Sequence, residues 1–243
     1  MIYGIHSVLE TLKEGKPIDQ ILIKKLSDNE LIREIIYLAR KQGVTVKSVP
    51  YEKLQRITQK NHQGVIAFIS PIEFFKIEQI VPEIFEKGET PLIVVLDEIT
   101  DVRNFGAIVR TCECMGVHTI VIPQKGAAQI NSDAIKTSAG ALQKLPICKV
   151  SSLVGACNYL KECGMQIISA SEKFSRKTFE VDYSIPTVLI MGSEETGISK
   201  PLLDISTDSI QIPMTGTISS LNVSVATGIC LYEINRQRIA NSI

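Results

Sequence analysis

From residue 91 onward, short apolar runs alternate with segments of helical periodicity, and this alternation constrains the fold more than any other feature. The run at 92–96 reads Leu-Ile-Val-Val-Leu and has no polar position, which is typical of a strand buried on both faces of a parallel sheet. The same alternation predicts three more strands, at 119–122, 166–169 and 187–190, and two helices, at 105–115 and 153–163. The pattern predicts an open α/β sheet over residues 90–243.

The first 70 residues have a different character, because predicted strands and helices alternate there over shorter stretches. A helix is predicted to start at a cap supplied by Asp28 or Asn29 and to stop at Gly43. Residues 1–70 carry 11 basic and 7 acidic side chains, whereas residues 71–89 carry 2 basic and 5 acidic ones. We therefore expect a small α/β domain at 1–70, an acidic linker at 71–89 and a larger domain at 90–243.

Several classes of protein are disfavoured. The six cysteines form no Cys-x-x-Cys pair and the three histidines are scattered, so neither a metal site nor a disulfide framework is indicated. No apolar run reaches the ~18 residues of a membrane helix. The first residues also lack the basic and then apolar pattern of a secretory signal. We expect a cytoplasmic protein with no membrane partner and no metal.

Ligands of open α/β sheets bind beyond the carboxyl ends of the strands, so the loops there are candidate sites. Neither a G-x-G-x-x-G nor a P-loop motif occurs. In the first loop, Asn104 is expected to cap the following helix, and Gly106 is expected to leave an opening beside the Arg110 guanidinium. Such an arginine suits a phosphate or carboxylate. The alternative is a capped helix with a surface arginine.

Two further segments carry candidate residues. Gly192 and Gly197 flank a loop that can approach a ligand closely, and Glu194 is expected near the free amides of a helix starting at about Ile198. An ordinary polar turn is the alternative. The second segment precedes the terminal helix and clusters three polar residues at its N-terminus, of which capping explains one: Ser219, Ser220 and Asn222. The helix itself has an apolar stripe: Val223, Ala226, Cys230 and Ile234.

Three segments resemble, in order and separation, the three motifs of the SpoU (TrmH) family of RNA ribose 2'-O-methyltransferases: 104–110 (Asn-Phe-Gly-Ala-Ile-Val-Arg), 192–194 (Gly-Ser-Glu) and 212–226 (Ile-Pro-Met through Ala). Residues 3–10 and 61–65 resemble a substrate-binding domain, related to ribosomal protein L30e, in the branch of the family that acts on ribosomal RNA. The resemblance covers almost the whole chain.

The resemblance implies a SPOUT-type, mostly parallel α/β catalytic domain with a C-terminal trefoil knot, preceded by a small L30e-like α/β domain. Pattern reasoning alone favours an unknotted doubly wound sheet, since knots are rare. The resemblance also implies a homodimer with the knotted regions at its interface. The apolar stripe of the terminal helix fits that interface, and burial inside one chain would produce the same stripe.

The resemblance further implies roles for individual residues. It places S-adenosylmethionine, the methyl donor, against four residues: Gly192, Ile212, Met214 and Leu221. It gives catalytic or ribose-binding roles to five: Asn104, Arg110, Glu194, Ser220 and Asn222. An arginine with a reference pKa of about 12.5 is a poor base, which favours contact with a phosphate or oxyanion. Glu195 stands where the family usually has glycine, and it would strain the loop if that position requires positive φ.

The resemblance thus implies S-adenosylmethionine-dependent 2'-O-methylation of a guanosine in the 23S RNA of the large ribosomal subunit. Alternatives are transfer RNA, an antibiotic-resistance site in ribosomal RNA, or a catalytically silent RNA-binding protein of ribosome assembly. His6 and His62 are either RNA contacts or satisfied loop histidines. Phosphates are expected to meet the basic residues of the first domain: Lys24, Lys25, Arg33, Arg40, Lys41, Lys47, Lys53, Arg56 and Lys60.

Overall fold

The computed structural model describes residues 1–25, 29–218 and 220–240. The chain divides into two compact units, Met1–Glu73 and Phe74–Ile243, which we call unit 1 and unit 2. Asp28 and Ser219, both named above as candidate caps, lie outside the described residues. No helix in the described ranges is long and apolar enough to cross a membrane.

Unit 1 is a four-stranded sheet with three helices. Its elements are β1 (Ile2–Tyr3), α1 (Ile5–Lys13), β2 (Ile18–Lys24), α2 (Glu30–Lys41), β3 (Thr45–Val49), α3 (Tyr51–Ile57) and β4 (Val65–Ile69). The strand order is β1-β4-β2-β3, in which β4 is antiparallel to both neighbours and β2 is parallel to β3. Of the two candidate caps of α2, Asn29 acts as one, because its Oδ1 accepts from Leu31 N at 2.9 Å.

Unit 2 is a six-stranded sheet flanked by helices. Its elements are α4 (Ile77–Glu86), β5 (Leu92–Leu96), α5 (Val102–Cys114), β6 (Thr119–Pro123), α6 (Ser132–Thr137), β7 (Ile147–Val150), α7 (Leu153–Glu162), β8 (Gln166–Ala170), β9 (Thr187–Met191), α8 (Lys200–Ile205), β10 (Asp208–Ile210) and α9 (Val223–Ala240). The strand order is β10-β8-β9-β5-β6-β7, and every pairing is parallel. All five residues of β5 are buried, as the unbroken apolar run predicts.

Most of the segment 71–89, expected to be a linker, lies inside unit 2. Helix α4 buries Ile77, Ile80, Val81 and Ile84, and these side chains pack into a core that contains Ile93 of β5. Burial of four branched aliphatic side chains stabilises the unit by several kcal/mol. Three of the five acidic residues of the segment lie on the exposed face of this packed helix: Glu78, Glu83 and Glu86.

The terminal helix α9 follows the edge strand β10 but packs near the middle of the sheet, against α5. Asn235 Nδ2 donates to Met115 O at 2.8 Å just after α5, and Arg238 Nη1 donates to Thr90 O at 2.8 Å just before β5. Of the predicted apolar stripe, Val223, Cys230 and Ile234 are buried within the chain, and Ala226 is half-buried. The alternative of burial inside one chain therefore accounts for this stripe.

The six cysteines are free thiols, and four of them are buried in the core: Cys112, Cys148, Cys157 and Cys230. Burial, with a smaller effect from the charge of Asp97, raises the pKa of Cys157 to about 12. Burial alone raises the pKa of Cys230 to about 12. Protonated thiols of this kind are poor nucleophiles.

Candidate active site

Three polar side chains from distant parts of unit 2 meet at the carboxyl edge of the sheet. They come from the first turn of α5, the loop after β9 and the residue before α9: Asn104, Glu194 and Asn222. Asn104 Nδ2 donates to Glu194 Oε1 at 3.0 Å, and Asn222 Nδ2 donates to the same oxygen at 2.7 Å. Asn222 Nδ2 also lies 3.0 Å from Asn104 Oδ1. We call these three residues the Asn-Glu-Asn cluster.

Asn104 does not cap α5, contrary to the sequence-based expectation. The cap is Asp101, whose Oδ1 accepts from Asn104 N at 2.7 Å. The helix therefore begins at Val102, earlier than the predicted start near Phe105. Because Asp101 satisfies the free amide, the Asn104 side chain is available to the cluster.

Glu194 is also placed differently from the prediction. Its Oε1 accepts from Val223 N at 3.1 Å, so it faces the first amide of α9 and not the start of α8. A carboxylate is favoured there because the first amides of a helix have no intrahelical partner and carry partial positive charge. The start of α8 is occupied by another carboxylate, since Asp97 Oδ2 accepts from Ser199 N at 2.7 Å.

Asn222 has two functions in the structure. Its Oδ1 accepts from Ser224 N at 3.0 Å, which is the geometry of a helix cap, while its Nδ2 reaches Glu194. One amide side chain thus fixes the start of α9 and the orientation of the cluster.

Gly106 leaves no opening beside Arg110, so the sequence-based expectation of such an opening is wrong. A β-carbon built on Gly106 would lie 2.7 Å from Thr137 Cβ and 3.0 Å from Ala134 O. The glycine therefore allows α5 and α6 to pack closely.

The loop after β9 is a tight turn whose ends touch. Gly197 N donates to Ser193 O at 2.9 Å, and a β-carbon on Gly192 would lie 2.3 Å from the Gly197 carbonyl carbon. Positive φ falls on Gly197, at 72°, and Glu195 is not among the described residues with positive φ. The strain expected from Glu195 is therefore absent, because the left-handed position is two residues later.

A first cavity of about 320 Å³ opens on one side of this loop. It is lined by the loop itself, the segment after β8 and the approach to α9, which include Gly192, Ile212, Met214, Ser220 and Leu221. All four residues expected to bind the cofactor thus face one cavity, together with Ser220. Glu172 and Lys173, from the loop after Ser169, also line it.

A second cavity of about 310 Å³ lies on the other side of the loop. Asn104 lines it, together with Glu98 and Asp101 from the first loop. Residues 193–196 and Val223 line both cavities, so Glu194 belongs to the wall they share. Both volumes are at the lower end of the range for small-molecule sites.

Arg110 is not brought to the cluster. It lines neither cavity, and its exposed guanidinium has no hydrogen-bond or ion-pair partner among residues 1–25, 29–218 and 220–240. Its position is six residues along α5 from Asn104, which corresponds to a different face of the helix.

Sequence reasoning missed the residues that hold the loops together. Glu98 Oε2 accepts from Thr196 Oγ1 at 3.0 Å, linking the loop after β5 to the loop after β9. Asp97 makes the contact with Ser199 described above. Two carboxylates directly after a wholly apolar strand are the signal that could have drawn attention to them.

In unit 1, His62 and His6 have different environments. His62 is 4% exposed and its Nδ1 accepts from Gly64 N at 3.1 Å, so it is a satisfied loop histidine, whereas His6 is exposed. Tyr51 is 40% exposed and packs on the His62 ring with 5.1 Å between centroids. Lys24 Nζ lies 5.4 Å from the Tyr51 ring, so a cation and an aromatic face occur together on this surface.

Comparison with known sequences gives consistent matches. The model of the SpoU rRNA Methylase family matches residues 91–232, and the model described as RNA 2'-O ribose methyltransferase substrate binding matches residues 1–75. YacO of Bacillus subtilis (strain 168), whose name places it among TrmH family tRNA/rRNA methyltransferases, is 32% identical over 98% of this chain and 95% of its own. The 23S rRNA (guanosine-2'-O-)-methyltransferase RlmB of Photorhabdus laumondii is 32% identical over 98% of both chains.

Solved structures agree. The TrmH/SpoU tRNA modifying enzyme of A. aeolicus is 38% identical over 68% of this chain and 85% of its own, with a TM-score of 0.58. The SpoU methyltransferase AviRb from Streptomyces viridochromogenes, solved in complex with AdoMet, has a TM-score of 0.64 and 23% identity over 98% of this chain and 90% of its own.

Proposed function

Because the chain belongs to the SpoU rRNA methylase family of RNA methyltransferases, we propose that it transfers a methyl group to the ribose 2'-oxygen of a guanosine in 23S ribosomal RNA. The observation that carries this proposal is the Asn-Glu-Asn cluster in the wall between two cavities. One cavity suits the methyl donor and the other the acceptor nucleotide. A silent RNA-binding scaffold would have no need of this arrangement.

S-adenosylmethionine is the methyl donor of the family, and the first cavity fits it. Its apolar wall includes Ile212, Met214 and Leu221, and the Gly192 backbone offers polar atoms beside them. Apolar walls with a few placed polar groups are typical of cofactor sites. When bound, S-adenosylmethionine supplies a methyl group activated by a sulfonium centre.

The protein's own contribution is positioning. Asn104 lines the second cavity, so it is suited to bind the ribose of the target nucleotide. Glu194 fixes both asparagine amides, and Ser220 lines the first cavity beside Leu221. Alignment of the oxygen with the breaking bond can supply several kcal/mol of the barrier. The exposed Arg110 guanidinium is suited to a phosphate of the RNA, because an arginine rarely gives up its proton.

Ribosomal RNA is favoured over transfer RNA by unit 1. The substrate-binding match covers residues 1–75, and RlmB of P. laumondii matches 98% of this chain, whereas the tRNA-modifying relative matches 68% of it. All nine basic residues named for unit 1 are exposed, and one of them, Lys24, lies over the Tyr51 ring. The choice of guanosine as the target nucleoside rests on the name of RlmB of P. laumondii alone.

A homodimer is part of the proposal. Opposite its buried stripe, α9 exposes apolar residues that recur on one face: Val225, Ile229, Tyr232 and Ile239. Their exposed fractions run from 38% to 63%. A face of this kind on a soluble protein is typical of a protein interface.

The test is to incubate the protein with labelled S-adenosylmethionine and unmodified 23S RNA of B. subtilis, with a pool of transfer RNA transcripts in parallel. Alkaline cleavage then maps the product, because a 2'-O-methyl group blocks cleavage at its ribose. We expect one resistant guanosine in the 23S RNA. Label in transfer RNA alone would favour that substrate, and failure to bind S-adenosylmethionine in calorimetry would favour the silent scaffold.

A further inference from the structure

Glu98, the second residue after β5, has a left-handed backbone with φ of 56°. Residues with a β-carbon rarely adopt this conformation, and it persists only where surrounding contacts hold it. Such residues cluster at functional sites. The contacts of Glu98 therefore need a functional explanation.

The Glu98 side chain reaches a residue 98 positions later in the chain. Thr196 Oγ1 donates to Glu98 Oε2 at 3.0 Å and lies 2.8 Å from Ser193 Oγ. Since the Thr196 proton is directed at Glu98, the Ser193 hydroxyl donates to Thr196 Oγ1. Ser193 Oγ in turn accepts from Thr196 N at 3.1 Å. A continuous hydrogen-bond chain thus runs from Glu98 to the residue directly before Glu194.

The neighbouring residue acts on the same segment. The buried Asp97 carboxylate accepts a hydrogen bond from Ser199 N, and the Glu98 carboxylate accepts one from the Thr196 hydroxyl. Two consecutive carboxylates therefore bind residues that lie three positions apart. Successive side chains of an extended strand point to opposite faces. The left-handed turn at Glu98 is the local change of direction that allows both to reach the same loop.

We propose that Glu98 is a positioning residue for methyl transfer, which fixes the 193–197 turn so that the Glu194 carboxylate meets Asn104 and Asn222. The inference rests on the proposed function and extends it to a residue that makes no contact within the Asn-Glu-Asn cluster. Its effect is expected on the rate of transfer more than on cofactor binding. Glu98 is absent from the wall of the first cavity, and the hydrogen bond from Gly197 N to Ser193 O, which closes the turn, does not involve Glu98.

Removal of the Glu98 side chain distinguishes an effect on positioning from an effect on the stability of the fold. In Glu98→Gly the hydrogen bond to Thr196 is lost, but the backbone strain is also relieved, because glycine adopts positive φ without penalty. We expect kcat to fall roughly tenfold or more, as for a misplaced catalytic group. The Kd for S-adenosylmethionine should stay within about threefold, a change of under one kcal/mol, and the Tm should not fall by more than about 2 °C.

Three further variants complete the test, with the B. subtilis 23S and transfer RNA transcripts as probes. Glu98→Gln keeps an acceptor oxygen and should restore kcat to within about threefold of the parent. Thr196→Val removes the other partner and should match Glu98→Gly. The double variant should be no slower than either single one, because both remove one interaction.

Two results would overturn the inference while leaving the proposed function intact. In the first, the parent is active and the kcat of Glu98→Gly is close to that of the parent. In the second, the Tm and the kcat fall together, and they do so in both Glu98→Gly and Glu98→Gln. A parent protein that methylates neither RNA would overturn the inference and the proposed function together.

Discussion

At the scale of single residues, the site depends on one carboxylate oxygen. Glu194 Oε1 accepts from Asn104, Asn222 and the Val223 amide, all within 3.1 Å. Hydrogen bonds to an ionised acceptor are stronger than neutral ones, so this oxygen can orient two amides at once. The amide ends of both asparagines are thereby fixed before any RNA arrives.

Gly192→Ala is expected to weaken S-adenosylmethionine binding by roughly tenfold or more. The added methyl group would lie 2.3 Å from the backbone of Gly197, so the turn that lines the first cavity, where we propose the cofactor binds, has to move. Calorimetry measures the effect. Gly155→Ala is the matched control, because its added carbon meets nothing closer than 3.6 Å in α7. Equal affinity of both variants would show that the close approach at Gly192 is not needed.

Arg110→Lys keeps the charge but loses the planar, bidentate guanidinium. If Arg110 binds an RNA phosphate in a specific geometry, methyl transfer at subsaturating RNA should slow by roughly tenfold, with S-adenosylmethionine affinity unchanged. The measurement is kcat/KM for the RNA together with calorimetry. A variant as active as the parent would reduce Arg110 to a non-specific surface charge.

At the scale of elements, sequence patterns identified the long helices, the buried strands and the Asn29 cap of α2, but not the Asp101 cap of α5 or the short strands β7 and β10. The apolar run at 92–96 has the length of a strand and no polar position, which is typical of a strand buried on both faces of a parallel sheet. Strands β7 and β10 have four and three residues, too few for a period to appear. The contact of Glu98 with Thr196 joins residues 98 positions apart, which no local pattern encodes.

The α5–α6 contact gives a prediction at this scale. Gly106→Ala should destabilise unit 2 by about 1–3 kcal/mol, because its β-carbon would overlap Thr137 and the Ala134 carbonyl. Thermal unfolding should show a Tm lowered by roughly 2–12 °C. Gly155→Ala again serves as the control and should leave the Tm equal or higher. An unchanged Tm for Gly106→Ala would mean that the two helices separate at little cost.

At the scale of the whole molecule, the family matches confirm the fold class inferred from the resemblance: a knotted SPOUT-type α/β domain preceded by a small L30e-like domain. Periodicity alone favoured an unknotted sheet, because local patterns determine elements and not the path between them. The order of motifs carried the information that periodicity lacked. The methyl donor and the three loops were named from sequence, whereas the distances within the cluster required coordinates.

A charge introduced into the exposed apolar face of α9 tests the proposed dimer. Ile229→Asp should convert the protein to a monomer at micromolar concentration, because an unpaired carboxylate would be buried in the interface. Analytical ultracentrifugation reports the mass. Phe85→Asp is a matched control, since Phe85 has similar exposure, 42% against 38%, but lies on α4. A monomeric parent, or a dimeric Ile229→Asp, would exclude this face as the interface.

The central claim is that the Asn-Glu-Asn cluster serves the acceptor side of a methyl transfer whose donor binds on the other side of one loop. Single-turnover transfer by Asn104→Ala tests it most directly, because Asn104 lines only the second cavity. With saturating labelled S-adenosylmethionine and 23S RNA, we predict a rate about 100-fold below the parent and a cofactor Kd within about threefold, under one kcal/mol. A rate close to the parent's, or a cofactor affinity that falls as far as the rate, would contradict the account.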